Sequence, residues 1–179
     1  MFMLKAAIID DGIDASQFKN VKSWVIKKDL SIENENIISV KDNHACTCLK
    51  IIQKYCDMSD VFWHSIKILN DDTKRGNIRQ FIEALRLCEQ LEVKIIHLSI
   101  GTRSYSDFNL IEKSIEALCD KGTIIIAAAC NEGTVAYPAC MNGVIGVKCD
   151  FSATDQQYLY NCNTLDTVSY THLRAHETD

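Results

Sequence analysis

The feature that most constrains this chain is an alternation: short, continuous apolar runs are followed by stretches whose apolar residues recur every three or four positions. Residues 5–9 read KAAII and stop at Asp10, Asp11 and Gly12, as a strand buried on both faces does when it enters a turn. Comparable runs lie at 37–40, 65–69, 94–99, 123–129 and 144–147. Between them, helical spacing is carried by Cys48, Ile51, Ile52 and Tyr55, then by Ile78, Phe81, Ile82 and Leu85, then by Ile111, Ile115 and Leu118. Strands alternating with helices predict an α/β fold with three layers, a mostly parallel sheet carrying helices on both faces. Gly122 after Lys121 predicts the end of the third helix, because glycine is comfortable in the left-handed conformation just past a helix. No Pro/Gly/Ser-rich linker and no internal repeat breaks the pattern, and 179 residues with 47% hydrophobic content predict one core.

Composition narrows the partners. With 24 acidic and 19 basic residues the net charge is −5, and no Lys/Arg-rich face is available to gather phosphate backbones or anionic lipid, so neither nucleic acid nor a membrane is expected. The first residues lack the basic, apolar and small-residue order of a secretory signal, and no apolar run is long enough to span a bilayer. A cytoplasmic location is the expectation. Nine cysteines, odd in number and scattered, fit neither a disulfide framework nor paired zinc knuckles, and Cys46 and Cys48 are too close for a thioredoxin-type pair. Most are expected to act as small buried hydrophobes. No glycine-rich phosphate loop follows the first strand and no ligand cluster stands out, so no cofactor and no metal is expected.

In open parallel sheets, chemistry collects just past the strand ends. There stand Asp10, His44, the group Ser99, Ile100 and Gly101, and Asn131. Asp10 ends the first strand in AIIDDGID, where Gly12 permits a sharp turn; an ordinary acidic turn reads the same way, and Asp11 and Asp14 are expected to be solvated turn residues. His44 opens the first helix in KDNHACTCLKII, with Asp42 or Asn43 as its N-cap. The positive end of the helix dipole disfavours the imidazolium and a buried carboxylate favours it, an opposition that poises the ring as a base; a surface histidine is the plainer alternative. Asn131 follows Ala127, Ala128, Ala129 and Cys130, small residues that permit close backbone approach. Its neutral amide suits a developing oxyanion, or simply a turn.

Taken together and in order, these segments resemble those of the subtilisin-like serine peptidases, the subtilases. AIIDDGID is similar to the aspartate segment, DNHACTCLKII to the histidine segment usually written H-G-T-H-V-A-G, IIHLSIGT to the substrate strand, and AAACNEG with YPACMNGVIGV to the oxyanion region. The resemblance covers about residues 5–150. It implies that Asp10 orients His44, that His44 takes the proton of a serine nucleophile, and that Asn131 donates to the oxyanion. It also implies that Ser99, Ile100 and Gly101 line a cleft for an extended peptide or protein substrate, and that the Tyr137–Pro138 bond is cis. The departures are Ala45 and Cys46 for Gly-Thr, Thr47 for the second histidine, Leu49 and Lys50 for Ala-Gly, and Cys130 for the glycine before the asparagine.

No G-T-S-x-A serine segment occurs; Ser152 and Ser169 have neither its glycine nor its small following residue. The final VSYTHLRAHET, in which His172 and His176 are spaced like a metal pair, resembles the in-frame translation of a transposase-type sequencing adapter. Residues 1–167 are then expected to be a partial subtilase domain and 168–179 a non-native tail, the chain as given being inactive. Two further readings remain open: a catalytically dead subtilase-like domain that binds peptides, and an unrelated nucleotide-binding α/β domain.

Overall fold

The computed structural model describes residues 3–35, 43–57, 59–130, 135–149, 158–161 and 167–170. Its strands are β1 (Leu4–Asp10), β2 (Val21–Ile26), β3 (Ile32–Glu33), β4 (Val61–Lys67), β5 (Ile95–Leu98), β6 (Ile124–Ala128), β7 (Val144–Cys149), β8 (Tyr158–Asn161) and β9 (Thr167–Tyr170). They form one sheet in the order β3-β2-β4-β1-β5-β6-β7-β9-β8. The pairings from β2 through β9 are parallel, and the two edge strands, β3 and β8, run antiparallel to their neighbours. Helices α1 (His44–Tyr55), α2 (Ile78–Gln90) and α3 (Tyr105–Asp120) connect the central strands.

The period of two along β1 divides the core. Ala7 and Ile9 join Ile66, Ile96, Leu98 and Ile125 under Phe81, Leu85, Ile111, Ile115 and Leu118 of α2 and α3. Ala6 and Ile8 face the other way and pack with Ala45, Cys46 and Leu49 of α1 and with Trp63. The expected three layers are therefore present. The larger residues near the start of α1 are accommodated: Ala45, Cys46 and Leu49 are each 0% exposed. Towards β6 and β7 the α1 face is bare among the described residues, with Ile124 49% and Ile145 37% exposed.

Local signals explain most boundaries. Asn77 caps α2 in a reciprocal pair with Gln80, whose amide reaches on to the Ile26 carbonyl at 2.7 Å. Gly122 sits at φ +74° beyond α3, as expected, and the Tyr137–Pro138 bond is cis. Four strands, β2, β3, β8 and β9, escaped the sequence pattern. β2 is interrupted by Lys22 and Ser23, and β3 is only two residues long. The expected strand at 65–69 lies earlier, at Val61–Lys67, because His64 breaks its apolar run. The expected strand at 37–40 falls outside the described residues. The cysteine expectation is corrected: of the seven described, Cys46 and Cys88 are buried, Cys48, Cys119, Cys130 and Cys140 are half-buried, and Cys56 is exposed. No helix among the described residues is long and apolar enough to cross a membrane.

His64 makes acid stability measurable. Its Nδ1 accepts the Trp24 indole N–H at 3.1 Å, and the side chain is buried. Burial, then the charges of Lys5 and Lys22, push the imidazole down to about 4. Between pH 6.5 and 4 the unfolded chain then binds the proton that the folded chain refuses, so stability falls as pH falls through that window, by up to about 3 kcal/mol. His64→Gln is expected to flatten this part of the stability curve, read as the difference between the urea midpoints of the two proteins at each pH.

Candidate active site

The end of β1 and the start of α1 are stitched together by the backbone and by side chains. Gly12 turns the chain at φ +94°, a conformation that costs other residues. Asn43, with extended backbone, caps α1 by accepting the Cys46 N–H at 3.0 Å, and its amide donates back to the Gly12 carbonyl in a short contact. Of the two N-cap candidates, Asn43 is therefore the cap, while Asp42 lies outside the described residues. This stitching brings His44 over the strand end, with Nδ1 2.7 Å from Asp10 Oδ2.

Asp10 is 2% exposed and takes three further interactions into account: Oδ1 accepts the Asp11 N–H at 2.7 Å, Oδ2 accepts the Ser99 hydroxyl in a short contact, and the backbone carbonyl accepts Ile68 N–H at 3.0 Å. Burial alone would push the Asp10 carboxyl up. The hydrogen bonds of His44 and Ser99, the charge of His44 and the Asp11 N–H outweigh it and hold the group below its ordinary value. The partner moves the opposite way. The Asp10 hydrogen bond, then Cys48, raise His44 to about 10 against a smaller effect of burial. Since the folded value lies above the unfolded one, this pair stabilises the fold below pH 6.5 and its contribution fades as pH rises towards 10. His44 is 58% exposed, so water screens the pair and the contribution is modest.

Asp11 and Asp14 are not solvated. They are 2% and 4% exposed. Asp11 accepts the N–H groups of His44 at 3.2 Å and Ala45 at 3.0 Å, and pairs with Lys74 at 3.2 Å. It thus neutralises the first turn of α1 from outside the helix. Asp14 caps the short 3-10 turn at Ala15–Gln17 by accepting the Ser16 N–H and hydroxyl and the Gln17 amide. The sequence signal for Asp11 was its place beside Asp10; what hid its role is that its partners come from residues far along the chain.

Beside this group opens a cleft of about 730 Å³, lined by Asp10, Asp11, His44, Lys74, Ser99 and Gly101 among others. The Ser99 hydroxyl is committed to Asp10, so that residue braces the carboxylate while its neighbours Ile100 and Gly101 form the rim. Gly101 lies where a Cβ would stand 2.8 Å from the Tyr137 carbonyl, and flanking hydrogen bonds between Thr102 and Tyr137, at 2.8 and 2.9 Å, hold that approach. A second hollow, on the other side of Ser99, Ile100 and Gly101, is lined by Ala128, Ala129 and Cys130. Asn131 lies outside the described residues, as do Ser152, His172 and His176.

Among the described residues, one group has the composition of a metal site: ligand atoms of Asp10, His44 and Cys48 lie within 4.8 Å of one another. The Asp10 oxygen already serves Ser99 and His44. The sulfur stands 3.8 and 3.9 Å from the two ring nitrogens. The arrangement is that of a hydrogen-bonded carboxylate–imidazole pair with a thiol against the ring.

The comparisons bear on fold and family. No curated protein matches the sequence. Among solved structures, a lanthipeptide protease superposes with a TM-score of 0.64 at 16% identity, covering 80% of this chain and 47% of its own. The prenylagaramide maturation protease PagA gives 0.64 at 17%, covering 94% and 58%, and the S41 psychrophilic protease 0.63 at 23%, covering 80% and 52%. The chain thus spans about half the length of these proteins, and the likeness is one of fold. The model of the subtilase family matches residues 4–169, and the chain therefore belongs to the subtilase family of peptidases.

Proposed function

We propose that this chain supplies the Asp10–His44 pair and the Asn131 oxyanion donor of a serine endopeptidase that cleaves peptide bonds by acyl transfer. The observation that carries the reading is the 2.7 Å contact from His44 Nδ1 to a buried carboxylate at the mouth of an open cleft. Such a carboxylate fixes the tautomer that leaves Nε2 free to accept a nucleophile's proton. The reading requires a serine from a G-T-S-x-A segment, a string absent from these 179 residues. Residues 1–167 form the partial domain in this reading and 168–179 the adapter-derived tail, although residues 168–170 belong to β9 beside β7, and the chain as given has no triad activity. The substrate is a peptide or protein laid extended along Ser99, Ile100 and Gly101; the lanthipeptide and prenylagaramide proteases, named for peptide processing, support that class.

A second reading, a peptide-binding domain without catalysis, is favoured by one observation: His44 at about 10 keeps its proton at neutral pH. Labelling the full-length protein with a fluorophosphonate separates the two. Covalent labelling of one serine in a G-T-S-x-A segment supports the peptidase; a full-length sequence without that serine, or one that stays unlabelled when folded, overturns it.

A further inference from the structure

One turn beyond His44 on α1, Cys48 lays its sulfur against the imidazole, 3.8 Å from Nδ1 and 3.9 Å from Nε2. The contact is a long sulfur–imidazole hydrogen bond in which donor and acceptor depend on the tautomer of His44. The ring is anchored on its other side by Asp10, which is 2% exposed and braced by Ser99. His97 of β5 acts on the same thiol, and its Nε2 is buried without a hydrogen-bond partner. The titratable groups around Cys48 are thus His44 on its own helix, His97 on β5, and Asp10 on β1 behind His44. The thiol is half-buried, within reach of a small reagent.

From this cluster we infer that Cys48 is a modification site, a reactive thiolate stabilised by the Asp10–His44 pair that exchanges with low-molecular-weight disulfides and carries the adduct against the imidazole. The other described thiols are not placed in this way. Burial pushes Cys88, Cys119 and Cys140 up, and Cys46 is fully enclosed. At Cys48 burial also pushes up, but His44 and His97 overcome it and bring the thiol down to about 7, so that about half is thiolate at neutral pH. In the exchange, Cys48 Sγ⁻ attacks one sulfur of a disulfide R–S–S–R. That bond breaks, a Cys48–S–S–R bond forms, and RS⁻ leaves and takes a proton from water; the disulfide is the oxidant. The adduct stands beside the cleft lined by His44 and Ser99, where it obstructs any group approaching the ring. The inference rests on the cluster itself and holds whether or not the full-length protein is a peptidase.

The test uses the full 179-residue chain, reduced and then exposed to limiting glutathione disulfide from about pH 5.5 to about 9.5, with adducts located by peptide mass mapping. Cys48 is expected to react first, with a rate midpoint near 7. His44→Gln is expected to move that midpoint above about 8 and to slow exchange at neutral pH by only about threefold. The roughly sixteenfold loss of thiolate is partly offset by the greater nucleophilicity of a more basic sulfur. A reciprocal measurement does not depend on that variant folding: by NMR, the His44 titration midpoint is expected to fall in Cys48→Val and in the glutathione adduct. Exchange at exposed Cys56 in preference to Cys48 overturns the inference. So does an unmoved midpoint in folded His44→Gln, or a His44 titration unchanged in Cys48→Val.

Discussion

Replacing Asp10 by asparagine in the full-length protein is expected to lower kcat by about four orders of magnitude while KM stays nearly constant. In the proposed peptidase the carboxylate accepts the Nδ1 proton of His44, across the 2.7 Å contact, and the neutral ring then has Nε2 as its acceptor. An asparagine in the same place offers its NH2 group to Nδ1 as readily as its oxygen, and the tautomer with the proton on Nε2 then prevails. That ring has no lone pair for the serine proton. Asparagine also forfeits the charge that stabilises the imidazolium formed during acyl transfer. In the chain as given the same substitution has its own readout: the His44 titration falls from about 10 towards the ordinary value of about 6.5. A kcat loss below tenfold would falsify the proposed role of Asp10.

The second large effect belongs to a residue that touches no substrate. Asp11→Ala is expected to destabilise the fold by about 3 kcal/mol, measured by urea unfolding. The carboxylate is 2% exposed and accepts from two N–H groups of the first turn of α1 and from Lys74. Removing it leaves those helix-start donors without their partner, and at Ala45, 0% exposed, water replaces the lost bond poorly. Asp11→Asn keeps the shape and one good acceptor, so about half that loss is expected. Lys74→Met should cost less than about 1 kcal/mol, because the lysine is 56% exposed and its pair is screened. Asp11 is thus a positioning residue, fixing where α1 begins and with it where His44 stands. Equal losses for Asp11→Ala and Lys74→Met would show that the ion pair alone matters.

Much of the framework was legible from local pattern. Continuous apolar runs such as 5–9 and 123–129 can be buried on both faces only in a covered parallel sheet, and they became β1 and β6. The N-cap at Asn43 and the glycines at 12 and 122 were readable because their effects act within one turn of chain. Strands whose burial is partial were not readable. Val21–Ile26 carries Lys22 and Ser23 in its middle, and only its pairing with β4 and β3 makes it a strand.

At the site, the sequence determined which chemical groups are available and the order in which strand ends present them: Asp10, His44, Ser99 and Asn131 in subtilase-like segments. Tertiary structure decided what surrounds them. Burial of Asp11 and Asp14, the bracing of Asp10 by Ser99 across 89 residues, and the charge environment of Cys48 between His44 and His97 all join positions remote in the chain. Local pattern carries information over a few residues because it reflects backbone periodicity and capping. Desolvation and charge pairing depend on which distant elements pack together, and only the folded sheet sets that.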